Sequence, residues 1–253
     1  MKMKWRAEIT AEEQLPEVLA TDKFDYIYAP MEFLGGDITA ISHRSRVIAV
    51  PPVFLGGDEP IIAENLRKLR ETGFKSALAH TLGHIELIKS AGLSVHGGFR
   101  LNITNSLALK KYEELGLTDG IFSVELSLTG VGKIKSGIPM GIMAYGKLPL
   151  MVMRRCPVRD DKLCVGCDPC VGNGCNSLTD RLGNKLQTLC RMGETEILNP
   201  VPIALSDRAD NINADFMVLR FSPGENIGEI VRIYERGLPF TGKFTRGLYY
   251  KRV

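Results

Sequence analysis

The stretch KSALAHTLGHIELIKSAGLSVHG, residues 75–97, decides the fold. KSALAH at 75–80 is a short apolar run. TLGHIELIKSAG at 81–92 has the periodicity of a helix, with a threonine near its start and a glycine after its end. LSVHG at 93–97 is a second apolar run. Strand, helix and strand in this order make a parallel pair with its crossover. The runs are apolar throughout and do not alternate, which suits strands buried on both faces.

The same pattern extends in both directions. Upstream, Lys4–Ile9, DYIYAP at 25–30 and RVIAVP at 46–51 read as strands. An acidic helix pattern from Ala11 and a clear amphipathic helix over Glu59–Glu71, with Ile62, Leu66 and Leu69 on one face, separate them. The helix of the second unit is expected near Gly36–Ile41. Downstream come a helix at Ser106–Leu115, a strand GIFSVELS at 120–127, a helix at about 128–135 and a strand PMGIMAYG at 139–146. DFMVLRF at 215–221 is the last strand, followed by a helix at Glu225–Arg236. Eight such units in 253 residues are the arithmetic of a TIM-like (β/α)8 barrel, one domain spanning 1–253. An open doubly wound sheet is the alternative.

Between strands seven and eight lies an excursion, 154–190, rich in Cys, Gly and Asp. Segments of that length carry function or their own scaffold. Its cysteines are Cys156, Cys164, Cys167, Cys170, Cys175 and Cys190, the middle four in CVGCDPCVGNGC. The N-terminus MKMKWRAEITAEEQ lacks the apolar stretch of a secretory signal, and no window approaches the ~18–20 apolar residues of a spanning helix. The expected location is the cytoplasm, away from membranes. In that reducing setting thiols at this density predict a metal, either zinc or an iron–sulfur cluster. Cys156 and Cys190 are expected to meet because the excursion folds back, with Thr179–Gly183 as its turn and Asp180 and Arg181 holding it. A net charge of +3 does not by itself argue for nucleic acid. The tail at 237–253 interleaves basic residues with Phe240, Phe244, Tyr249 and Tyr250; it could stack on single-stranded RNA or pack on the barrel. GGD at 35–37 and 56–58 reads as turns. G-x-S-x-G and H-E-x-x-H are absent from the sequence.

Chemistry in a barrel sits at the C-terminal ends of its strands. The strand ends place Glu8, His80, His96, Glu125, Tyr145 and Arg220 there. Glu125, directly after an apolar strand, is expected to point into the mouth. Glu125, His96 and Tyr145 are the catalytic candidates, and Asn102, His80 and Arg220 the substrate contacts.

HGGFRLNITNSLAL, SVELSL, YGKLPLMVMRRCPV and SLTDRLGNKLQTLCR, in this order, resemble the collagenase-like peptidase family of unknown catalytic type, family 32. The resemblance runs from about Tyr26 to Phe221 and is strongest to the C-terminal barrel of the longer two-part members. It implies a TIM-like barrel, and an N-terminal barrel or companion subunit as partner. Some members are assigned peptidase activity. Others carry a 4Fe–4S cluster on cysteines and hydroxylate RNA or another aromatic ring without dioxygen. The family signature has a glycine, matched by Gly146, then two cysteines. Pro149 stands at the first cysteine position, and Cys156 matches the second. On this resemblance Cys156, Cys190 and two of Cys164, Cys167 and Cys175 would hold the cluster. The expected function is iron–sulfur-dependent hydroxylation of RNA or a small aromatic substrate. A metal-assisted peptidase, with Glu125 and a histidine as base, and a non-catalytic zinc-stabilised module that binds RNA or a partner are the alternatives.

Overall fold

The apolar runs form strands that close on themselves. A computed structural model of the chain describes residues 3–35, 41–53, 56–154, 156–157 and 176–251. β1 (Lys4–Ile9), β2 (Phe24–Pro30), β3 (Val47–Val50), β4 (Ser76–Ala79), β5 (Ser94–Gly97), β6 (Leu117–Ile121) and β7 (Met140–Gly146) follow one another in the sheet. The last barrel strand is β13 (Phe216–Phe221), which lies between β7 and β1. Every neighbouring pair of this ring is parallel, and β6–β7 completes it. The TIM-like (β/α)8 barrel is therefore the fold, with the excursion between the seventh and eighth barrel strands.

Helices pack around the ring: α1 (Gln14–Leu19), α2 (Glu59–Glu71), α3 (Leu82–Ser90), α4 (Ser106–Glu114), α5 (Leu128–Val131) and α6 (Ile227–Glu235). Caps set their starts. The side chains of Asn105, Ser127 and Asn226 accept from backbone N–H groups in the first turns of α4, α5 and α6. Outward strand residues such as Ile9, Ile27, Ala49, Ala77 and Leu219 meet Leu15, Leu66, Ile85 and Ile227. Inward residues fill the lumen: Tyr28, Ile48, Leu78, Ile121, Met143 and Val218 form its apolar layer. The two buried faces explain why the strands read as continuous apolar runs.

Two local expectations change, and a third lies largely outside the described residues. The sixth strand is Leu117–Ile121, not 120–127. Gly116, at φ +97°, turns the chain straight from α4 into the strand, and after Phe122 the chain turns, with Leu126 N–H donating to Ser123 O. The following helix is only Leu128–Val131, because LTGVG places glycines where a longer helix needs side chains. The second unit has 3-10 turns at Met31–Leu34 and Ile41–Arg46; residues 36–40 lie outside the described residues.

The excursion is a sheet of its own, not foreseen in the sequence. β8 (Pro149–Met153), β9 (Asn176–Thr179), β10 (Lys185–Arg191) and β11 (Glu194–Leu198) are antiparallel in the order β8-β11-β10-β9. Asp180 organises the β9–β10 turn as expected: its carboxylate accepts from Leu182 N–H, Asn184 N–H and the Asn184 amide. Met192 and Gly193, both at positive φ, make the tight β10–β11 turn. A short strand, β12 (Ile203–Ala204), then runs antiparallel to β7 outside the barrel. The tail packs on the barrel. Tyr249 is buried with its hydroxyl donating to Met143 O, Phe240 and Phe244 lie against the core, and Arg246 pairs with Asp207.

Gly146, where β7 leaves the barrel, sits at φ +124°, and a Cβ there would lie 2.4 Å from Arg220 O. Gly146→Ala should lower stability by about 3 kcal/mol, the sum of left-handed strain and a forced backbone shift. Gly183→Ala, also at positive φ but with nothing within 4 Å, should cost only about 1 kcal/mol. Urea unfolding of the two variants checks the difference.

Candidate functional site

The inner face of the excursion sheet lies over the C-terminal mouth. In β11, Glu194 and Glu196 share one face and Thr195 and Ile197 the other, by the two-residue period of a strand. Glu196 reaches into the mouth. Its Oε2 lies 2.5 Å from Arg220 Nη2 on β13, and its Oε1 2.5 Å from Arg100 Nη2 on the loop after β5. Arg220 Nε in turn donates to Glu8 Oε1 on β1 at 2.8 Å, and its Nη1 to Lys147 O. The result is a buried chain of alternating charge, Glu8–Arg220–Glu196–Arg100. Burial alone would push the Glu196 carboxyl up, but the charges of Arg220, Arg100 and Arg191 bring it down to about 2. Two further contacts fasten the sheet: Val53 N–H donates to Glu194 Oε2, and Arg191 Nε to Glu32 Oε1. The sheet is therefore a cap.

His80 sits under this cap, 5% exposed, with its ring against Phe99 and His84. Burial first, and then the charge of Arg100 and its neighbours, hold His80 neutral. Its Nδ1 has no hydrogen-bond partner among the described residues. Gly98 makes the room, since a Cβ there would be 2.7 Å from that nitrogen. His84 is pushed down to about 4 by burial; its Nδ1 accepts from the His80 and Thr81 N–H groups. On the rim, Ser123 Oγ donates to Asn102 Oδ1 and accepts from Glu125 N–H. Asn102 and Glu125 are thus brought together, but the Glu125 side chain is exposed in a turn and does not enter the lumen. The turn after Phe122 is the reason.

Two catalytic candidates sit elsewhere. Tyr145 is buried outside the barrel among Phe221, Tyr234 and Phe240, with its hydroxyl donating to Glu225 Oε1. A register shift inserts Ala144 between Met143, opposite Val218, and Tyr145, opposite Leu219. The extra residue turns Tyr145 outward. His96 points to the opposite, N-terminal pole, because the upper inward position of β5 belongs to Gly98. Arg220 and His80 do reach the mouth. Glu196 and Arg100 were missed; the sequence signal for Glu196 is the alternating pattern of ETEIL, which marks a strand with one polar face.

The thiols lie on the other side of the cap. Cys190 pairs in register with Thr195, so it shares that residue's outer face. Its Sγ is 3.4 Å from Thr195 Oγ1 and 4.0 Å from Cys156 Sγ. The expected meeting of Cys156 with Cys190 is present. Cys164, Cys167, Cys170 and Cys175 lie outside the described residues.

Glu196→Gln should remove a charge that two buried arginines share and cost about 3 kcal/mol at neutral pH. The folded value of Glu196 lies below its ordinary 4.5, so the stabilisation is full above that pH. It fades as the pH falls towards 2. The stability gap between wild type and variant, measured by urea unfolding, should narrow over that window.

A search of curated proteins returns no match to the chain. Among solved structures, the U32 peptidase Mk0906 is similar at 12% identity, over 57% of this chain and 70% of that one, with a TM-score of 0.43. The spore cortex-lytic enzyme SleL of Bacillus megaterium QM B1551 is similar at 11% identity, over 96% and 75%, with a TM-score of 0.44. Residues 48–160 match the model of peptidase family U32. That stretch holds β3 to β8, the rim residues Asn102 and Glu125, and Cys156, and over it the chain is similar to peptidase family U32.

Proposed function

We propose that this chain is a metal-pinned binding barrel of family U32, whose cap is held on its outer face by thiolates and on its inner face by Glu196. The observation that carries the reading is the 4.0 Å separation of Cys156 and Cys190 on the face turned away from the mouth. Two thiolates on one tetrahedral zinc, at about 2.3 Å each, stand about 3.8 Å apart. In a cubane cluster each thiolate binds its own iron, and neighbouring sulfurs stand farther apart. The donor pair therefore fits a single ion better than a cluster. Cys156 and Cys190 would supply two ligands and the run Cys164–Cys175 the others. Such an ion, when bound, supplies folding energy and a closed thiolate shell. This chain's own residues then keep the mouth shut, Glu196 taking the place a ligand carboxylate would have between Arg100 and Arg220. A mouth filled by the chain's own Glu196 favours a binding role over turnover, and the resemblance to two-part members of the family suggests a second barrel as partner.

The hydroxylase reading keeps one specific support: six thiols exceed what one ion needs. Ring hydroxylation with water as oxygen source releases two protons and two electrons, and an iron–sulfur cluster supplies a path for those electrons. The peptidase reading has less. In the mouth, the described partners of His80 and His84 are backbone groups and each other, with no hydroxyl or thiol nucleophile held by either ring.

Anaerobic purification followed by metal and sulfide analysis decides among these. We expect one zinc per chain, no acid-labile sulfide, and no visible chromophore. Cys156→Ser and Cys190→Ser should each lose that zinc and raise hydrogen exchange in 185–198, while the barrel strands stay protected. Iron and sulfide in equal, near-fourfold amount would overturn the zinc pin and reinstate the redox enzyme. Full metal content in both variants would exclude this pair as ligands.

A further inference from the structure

The cap is built like a lid. Its two connections to the barrel run side by side: Pro149 opposes Leu198, and Asn199 N–H donates to Leu148 O at 2.8 Å. Gly146, at φ +124°, begins one connection, and its strand partner Ile203 ends the other. Away from this stalk, the described fastenings are ion pairs and hydrogen bonds. Glu196 holds Arg100 and Arg220, Glu194 holds Val53 N–H, Arg191 holds Glu32, and Arg154 reaches Asp58. Leu189, Ile197 and Leu198 are buried, yet they belong to neither apolar cluster of the barrel. A sheet on one stalk, docked by charge and not by a shared apolar core, can lift as a unit.

The mouth beneath is not satisfied by this lid. Glu8 Oε2 and His80 Nδ1 are both buried with no hydrogen-bond partner among the described residues. Glu8 Oε1 and Glu196 Oε2 sit on neighbouring nitrogens of one guanidinium, Arg220 Nε and Nη2. The unpartnered oxygen of Glu8 therefore lies beside the place that the Glu196 carboxylate fills. With Glu196 withdrawn, Arg100 and Arg220 face Glu8 alone at that place, an excess of one positive charge. His80 is neutral and adds nothing to this count. Glu32 loses Arg191 as well, but at the rim, where water solvates it. The replacement for Glu196 must bring one negative charge on two oxygens, and a hydrogen-bond donor for Glu8 Oε2. The Glu196 carboxyl is held down to about 2, so at neutral pH protonation does not release it and a competing anion does.

We propose that the lid yields to a small 2-hydroxy or 2-amino carboxylate. The ligand's carboxylate takes over Arg100 and Arg220 from Glu196, and its hydroxyl or ammonium donates to Glu8 Oε2. Glu196 is then a competitor for the mouth carried by the chain itself. This names the ligand class for the binding reading given above and rests on that reading, but not on which metal the thiols hold.

The test is a titration of the 15N-labelled full chain, its metal in place, with glycolate, acetate and glycolamide, followed by NMR at the backbone amides. Glycolate should saturate and bind about fivefold more tightly than acetate, the worth of one hydrogen bond, and glycolamide should not saturate. The Val53 amide donates to Glu194 in the closed lid, so at saturation it should exchange faster with solvent. Arg100→Gln should weaken glycolate about tenfold or more. Glu32→Gln unlatches Arg191 at the rim and should instead strengthen glycolate, by up to about fivefold, because more of the chain stands open. No saturation by glycolate, an equal response to glycolamide, or acetate as tight as glycolate would overturn the proposal. So would unchanged exchange at Val53, or affinity that is the same or weaker in Glu32→Gln. If Arg100→Gln does not fold, Glu32→Gln decides. Zinc without glycolate binding keeps the metal pin and removes this site; glycolate binding without zinc does the reverse.

Discussion

The ion-pair chain Glu8–Arg220–Glu196–Arg100 ties together the parts of this molecule that are farthest apart in sequence. Glu8 is on the first barrel strand and Arg220 on the last, so their bond closes the ring where the chain's two ends meet. Arg100 comes from the loop after β5, and Glu196 from the cap. Four charges alternate in a mostly buried region, and each cation neighbours at least one anion. Removing one member leaves an uncompensated charge in low dielectric, which costs more than any one contact contributes. The cap is thereby linked to barrel closure: opening the mouth exposes Arg220, the same side chain that joins β13 to β1.

The register of the cap decides which face does what. Glu194, Glu196 and Arg191 point down to loops and strand ends, while Cys190 and Thr195 point up to Cys156. A sheet therefore separates the thiols from the lumen. Any group the thiols hold acts on a ligand in the mouth only across that layer. The inner face is fixed by side-chain charges.

The barrel was legible in the sequence because both faces of its strands are buried, which writes an unbroken apolar run at every turn of the pattern. Lys4–Ile9, Met140–Gly146 and Phe216–Phe221 stand where those runs predict them. What escaped was set by residues distant in the chain. The cap strands alternate polar and apolar, as in ETEIL, and reveal themselves as strands only when paired with one another. IFSVEL has strand-forming residues past Ile121, yet Ser123 turns the chain, and Glu125 ends on the rim. Tyr145 would face inward in an unbroken strand, and one inserted residue, Ala144, sends it out. His96 sits on the expected strand at the wrong depth, a distinction that depends on the stagger between β5 and β6 and not on local sequence.

The same stagger gives the lumen its layered character. Tyr28, Ile48, Leu78, Ile121, Met143 and Val218 form an apolar belt between two charged ends. Above it the mouth holds a carboxylate supplied by the chain itself, gripped by Arg100 and Arg220. Below it Arg6 and His96 share the carboxylate of Asp119. The belt is packed, so the two ends communicate only through the strands: Arg6 and Glu8 are two residues apart on β1, and the Tyr28 hydroxyl that receives Arg6 belongs to the belt itself. A shift of β1 along its axis would strain both ion-pair groups at once.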